Sequence, residues 1–256
     1  MKYRVMAIAA HPDDIEFGMG GTLFLLARAG CEIHYINIAN GSCGTTEYDE
    51  KMIISMRLQE ARNAADHLKA VFHPPLVPDL EIYYNREILM KLASIYREVA
   101  PDILLVPSPD DYMEDHMNAC RLAVTAAFSR GMRNYVVDPP ANPISKDVVI
   151  YHAQPHGNRD GLNKLIHPDF YIDISTVLKE KTAMLAEHKS QKNWLDVSQG
   201  FDSYLNTMKH FGREMGQLSG QFEYAEGWRR HNPLGFCTVD ANPLADLLHK
   251  YYYEVK

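Results

Sequence analysis

Val5 to Ala10 (VMAIAA) is a continuous apolar run without alternation, the pattern of a strand covered on both faces of a parallel sheet. A polar cluster, His11-Pro12-Asp13-Asp14, follows at once, then a glycine-rich turn, Gly18-Met19-Gly20-Gly21, and an amphipathic stretch, Thr22 to Ala29, that predicts a helix. Glu32 to Ala39 (EIHYINIA) alternates and is rich in Ile and Tyr, a second strand, with a polar loop, Asn40 to Thr46, behind it. A helix is predicted from about Glu50 to Leu68, with Ile53, Met56, Ala61, Ala64, Ala65 and Leu68 on one face. Val71 to Leu80 carries three prolines and reads as a short strand with irregular flanks. Arg86 to Val99 predicts a helix, Ile103 to Val106 a buried strand, and His116 to about Phe128 another helix. Further strands are expected at Val148–His152 and Phe170–Ile174, with helices from about Thr176 to His188 and around Tyr204 to Met215. Strands alternating with helices, without repeats or a second core, predict one α/β domain over residues 1–256: a three-layer sandwich with a mostly parallel, Rossmann-like sheet.

At 256 residues and 46% hydrophobic, the chain is long enough to bury a full core. A net charge of -7 with no long basic run argues against nucleic acid or an anionic membrane surface and favours a small neutral or polar substrate. The short amino-terminal apolar run is neither a signal peptide nor a membrane span, and Cys31, Cys43, Cys120 and Cys237 are scattered without a C-x-x-C pair. Both features predict a cytoplasmic protein. The aromatic tail from His231 offers no chemistry, though it could pack against a neighbour in a homo-oligomer.

Chemistry concentrates where buried strands end. Pro12, Asp13 and Asp14 alone would pass for an ordinary helix start, since carboxylates complement the positive end of the dipole. His11 has no capping role, however, and His and Asp three apart at a sharp bend can converge on one ion. The strand Ile103–Val106 also ends in a carboxylate-rich loop, Asp110-Asp111-Tyr112-Met113-Glu114-Asp115, with His116 opening a helix. Ligands in open α/β sheets bind at the carboxyl ends of strands, so the two clusters can meet. His11, Asp14 and His116 then supply two imidazoles and a carboxylate, a set found at catalytic zinc sites. Arg57 and Glu60, three apart on one helix, read as a solvated ion pair, with Arg57 kept as a residue that could reach a substrate. Asp115 reads either as a support for a ligand histidine or as a helix N-cap.

Ala10-His11-Pro12-Asp13-Asp14 with the downstream Asp115-His116 resembles the PIG-L/LmbE family of zinc-dependent N-acetylglucosaminyl deacetylases. Lesser features agree: Arg57 and Glu60, His188-x-Ser190-Gln191, and Ala225-Glu226. The resemblance implies one Zn2+, or another divalent metal, on His11, Asp14 and His116, Asp13 as general base, Arg57 at the substrate, and release of acetate from an N-acetyl amino sugar. One position departs from the pattern. Relatives commonly carry a histidine three residues before the last metal ligand, where it helps stabilise the oxyanion or protonate the leaving group; this chain has Met113, a weak acceptor only. His188 is the first choice to fill the gap, with His152 or His156 behind it. The alternatives are a degenerate member that keeps the metal without turnover, and a sugar- or nucleotide-binding module built on the glycine-rich turn.

Overall fold

The computed structural model describes residues 2–193 and 203–254. Among the described residues eight strands form one sheet: β1 (Arg4–Ala9), β2 (Glu32–Asn37), β3 (Val71–His73), β4 (Ile103–Val106), β5 (Val149–Ala153), β6 (Phe170–Asp173), β7 (Ala225–Arg230) and β8 (Tyr252–Glu254), in the order β3-β2-β1-β4-β5-β7-β6-β8. The first five positions in that order are parallel, and β7, β6 and β8 continue antiparallel. The sheet is therefore mostly parallel, as the run of unalternated apolar strands predicts.

Because side chains alternate across a strand, β1 feeds two cores. Val5, Ala7 and Ala9 pack on one face with α2 (Gly20–Arg28) and α3 (Glu50–His67), while Met6 and Ile8 pack on the other with α4 (Arg86–Val99) and α5 (Glu114–Phe128). This makes three layers. The remaining helices are α1 (Asp14–Gly18), α6 (Leu178–Leu185), α7 (Ser203–Ser219) and α8 (Pro243–Leu248). The aromatic tail does not hang free: Tyr252–Glu254 pairs with β6 and closes that end of the sheet.

Two features position the site. β1 lies between β2 and β4, with Ala7 paired to Leu105 and Ala9 to Asn37, so the chain fans out to either side at the carboxyl end of β1. That divergence is where ligands bind in open sheets. The glycine-rich stretch is a second device, and a structural one. It breaks α1 from α2 at Met19, and Gly21 lies so close to Ile174 that no side chain fits. The backbone N–H groups of Gly21 and Thr22, at the first turn of α2, donate to the Glu226 carboxylate at 2.8 and 2.7 Å. Lys181 Nζ donates to the same carboxylate at 2.6 Å, and both side chains are buried. The anion site at this helix terminus is thus filled by the chain's own carboxylate, which removes the basis for a nucleotide-binding reading of the turn. No described helix is long and apolar enough to cross a membrane.

Candidate active site

The bend after β1 holds Asp13 in a conformation that side chains rarely adopt, φ 113° and ψ -26°. Strain of this kind persists only where surrounding contacts impose it, and it collects at functional sites. Asp13 occupies the N-cap position of α1, yet its carboxylate makes no capping bond. It accepts instead from the Tyr204 hydroxyl on α7 at 2.7 Å and stands 3.7 Å from Arg57 Nη2. Burial pushes its carboxyl pKa upward, with Arg57 opposing and the neighbouring Asp14 adding to the rise.

One residue on, Asp14 turns the other way. Its Oδ2 stands 3.5 Å from His11 Nδ1 and 3.5 Å from His116 Nε2. His11, Asp14 and His116 each offer one ligand atom within 4.8 Å of the others, the only such cluster among the described residues. The far nitrogen of each ring is held by a carboxylate. Asp115 Oδ2 is 3.0 Å from His11 Nε2, and Asp111 Oδ1 is 2.9 Å from His116 Nδ1. A carboxylate behind an imidazole fixes its tautomer and orientation and raises its basicity, the usual support of a metal-ligating histidine. The pairing is crossed: Asp115, next to His116 in sequence, supports His11. It is not the N-cap of α5, a position that Met113 occupies.

The electrostatics fit the same use. Burial alone would lower the His11 pKa, but hydrogen bonds to Asp115 and Asp14 carry it up to about 10. His116 is likewise raised against its burial, chiefly by Asp14 and Asp111, and Asp14 is held low, against its own burial, by both imidazoles. A cluster with two carboxylates pressed around each ring is a place for positive charge, whether protons or a cation. The donor set of two imidazoles and one carboxylate suits zinc, and also iron, cobalt or manganese. Asp111→Asn is expected to weaken metal affinity about 10–100-fold without removing a ligand, read by competition against a chromogenic chelator.

A cavity of about 460 Å³ opens in front of the cluster, and Asp13, Asp79, Arg57, Tyr112, Met113, His156 and Tyr204 share its lining with His11, Asp14 and His116. Two expectations change here. Arg57 and Glu60 are not a solvated pair: they are 3% and 8% exposed. Glu60 accepts from the Ser190 backbone N–H at 2.8 Å and hydroxyl at 2.6 Å, while the Arg57 guanidinium donates to Pro12 O and Gln191 Oε1. Arg57 thus borders the cavity while tying the first motif to the segment after α6. His188, the first choice to replace the absent imidazole, does not line the cavity. It is fully buried, its Nε2 3.2 Å from Glu16 Oε1, because the turn after α6 packs inward instead of ending at solvent. His152 is also elsewhere, bridging Pro107 O and His231, and burial pushes it down to about 4. His156 faces the cavity, its ring tilted against Phe17 and edge-on to Phe211, with its pKa lowered by burial.

The model of the PIG-L family, described as GlcNAc-PI de-N-acetylase, matches residues 6–128, the stretch that carries both motifs. Among curated proteins, the diacetylchitobiose deacetylase of Thermococcus kodakarensis is 30% identical over 233 residues, covering 88% of this chain and 82% of that protein. The chain belongs to the PIG-L family. The 4-oxalmesaconate hydratase of Pseudomonas putida is 27% identical over 188 residues, covering 70% of each chain. The structure of an N,N'-diacetylchitobiose deacetylase from Pyrococcus horikoshii superposes with a TM-score of 0.77 at 24% identity, covering 94% of this chain and 88% of that one. The PIG-L fold, an α/β sheet flanked by helices, is therefore shared across nearly the whole length.

Proposed function

We propose that this protein is a metal-dependent N-deacetylase of an N-acetylglucosamine-containing small molecule. His11, Asp14 and His116 would hold one divalent cation, zinc by preference, with Asp13 as general base. The carrying observation is that two strand ends bring three possible ligand atoms and a separate half-buried carboxylate to one wall of a sugar-sized cavity. A cation bound there would bring the pKa of a water to about 7 and polarise an amide carbonyl. Asp13 accepts a proton from the attacking water and returns it to the nitrogen as the C–N bond breaks, so amide and water become acetate and a free amine. Tyr204 and Arg57 hold the Asp13 carboxylate in place, and Arg57 orders the wall against which the sugar lies. His156, the cavity-facing imidazole, takes the part first assigned to His188. The free state of all four cysteines supports a cytoplasmic setting.

The second reading, addition of water across a carbon–carbon double bond, is favoured by Met113, because a hydration leaves no amine to protonate. Similarity argues the other way: the diacetylchitobiose deacetylase matches at 30% identity over 88% of this chain, the hydratase at 27% over 70%.

The test is acetate and primary amine released from N-acetylglucosamine and N,N'-diacetylchitobiose by the zinc-loaded full chain. Equimolar release is expected. A metal-loaded protein that releases neither, yet consumes 4-oxalmesaconate, would replace this reading with the hydratase. Because His156 already takes that part, Met113→His is expected to leave deacetylation nearly unchanged. A rise of about a hundredfold or more, the scale of one oxyanion donor, would mean that the site lacks an imidazole and that His156 does not serve as one.

A further inference from the structure

A second, smaller cavity of about 70 Å³ adjoins the ligand cluster, and Asp14, Phe17, His116 and His156 line both spaces. Its other walls are mainly apolar: Met208, Phe211, Met215, Pro107 and Ala153. The polar groups around it are engaged elsewhere. Lys181 and Glu226 bind each other, Asn158 bonds to Phe211 O and Glu214, and Asp111 bonds to His116. Gln154 Nε2 donates to Ile166 O, and Gln154 Oε1, which lacks a partner, is itself buried.

We propose that this inner cavity is an acyl-chain pocket, and that the enzyme prefers N-propionyl and N-butyryl amino sugars to N-acetyl ones. The inference rests on the deacetylase reading and specifies its substrate. An amide carbonyl placed at the ligand cluster, beside Asp13, has two substituents. The nitrogen carries the sugar, which only the larger cavity can hold. The acyl chain leaves from the other side of the carbonyl, and the adjoining apolar space receives it. A water-sized group needs about 10–15 Å³ of such space, so the methyl of an acetyl group leaves most of this cavity unfilled. Water is a poor filler, since it needs two or more polar partners and the walls provide few. Two further methylenes occupy the space and bury apolar surface against apolar walls.

The experiment compares kcat/KM for N-acetyl-, N-propionyl-, N-butyryl- and N-octanoyl-glucosamine, using the zinc-loaded full chain and two variants at Gly18. A Cβ at Gly18 has only Ala153 Cβ within 4 Å, at 3.9 Å, so Gly18→Leu grows into the pocket and Gly18→Ala enters it with little risk to folding. The expected result is a rise of about fourfold per added methylene through butyryl, and a fall for octanoyl. The butyryl-to-acetyl ratio should drop at least tenfold in Gly18→Leu and by less in Gly18→Ala. Acetate release with propionyl and butyryl compounds tenfold slower, or a ratio unchanged in both variants, would overturn the pocket while leaving the deacetylase reading intact. Metal-loaded protein that releases no acid from any of the four would overturn both.

Discussion

Asp13→Asn is expected to lower the kcat for N-deacetylation by about 10²–10⁴-fold, the contribution of a general base, while metal content stays that of the wild type. The two halves of that expectation have different sources. On the proposed assignment metal is retained, because its ligand atoms would come from His11, Asp14 and His116, while Asp13 points instead to Tyr204 and Arg57. Activity is lost because an amide cannot accept the proton that the attacking water must give up. Asparagine is the informative replacement, since it keeps the shape of the side chain and is among the few residues that tolerate a positive φ such as the 113° at this bend. Acetate release and metal analysis on the same preparation read both halves. Retention of most of the activity would move the base elsewhere, and loss of metal would make Asp13 a ligand.

Lys181→Met carries the largest expected effect on stability, about 3–5 kcal/mol, the usual penalty for stripping one partner from a buried ion pair. For a chain of this size that is a fall in melting temperature of roughly 6–20 °C. The Lys181 and Glu226 side chains are 2% and 4% exposed, and Glu226 ties β7 to the start of α2 through the N–H groups of Gly21 and Thr22. Without the ammonium, a carboxylate is left in the interior with two backbone donors as its remaining partners. Glu226→Gln should recover much of the loss when added to Lys181→Met, because the amide oxygen can still accept from the helix terminus without carrying charge. Thermal unfolding of the two single variants and the double variant measures the coupling. Strict additivity would mean that the two side chains do not act as a pair.

The parts of the fold governed by local pattern were readable from the chain. Ile103–Val106 and Arg86–Val99 form as expected, the first an unbroken β-branched and leucine run, the second strongly periodic and started by the Asn85 side chain, which accepts from the Ile88 N–H. The convergence of His11, Asp14 and His116 was readable as well, because His11 and His116 break the chemistry of buried strand ends. What escaped depends on tertiary placement. Neighbouring residues on a helix point about 100° apart, so Asp115 cannot turn to the ring of His116 next to it and reaches His11 across the sheet instead. Asp111, five residues back in the loop, folds under His116, and nothing in its local sequence distinguishes it from Asp110. Tyr204 sits in an ordinary amphipathic helix, and only the packing of α7 against the first motif brings its hydroxyl to Asp13. Glu60 was read as a solvated residue from its helix-face pattern and His188 as a site imidazole from the resemblance, but the turn after α6 folds inward and covers both. Glu226 serves a helix terminus more than 200 residues earlier in the chain, a relation that spacing cannot reveal.

Anomalous-difference diffraction at the zinc edge, on crystals of the zinc-loaded protein, tests the ligand assignment most directly. A single strong peak bounded by His11 Nδ1, His116 Nε2 and Asp14 Oδ2, with its remaining side open to the large cavity, is the expected result. A peak at another set of residues, or none while both imidazoles stay paired to Asp14, would contradict it.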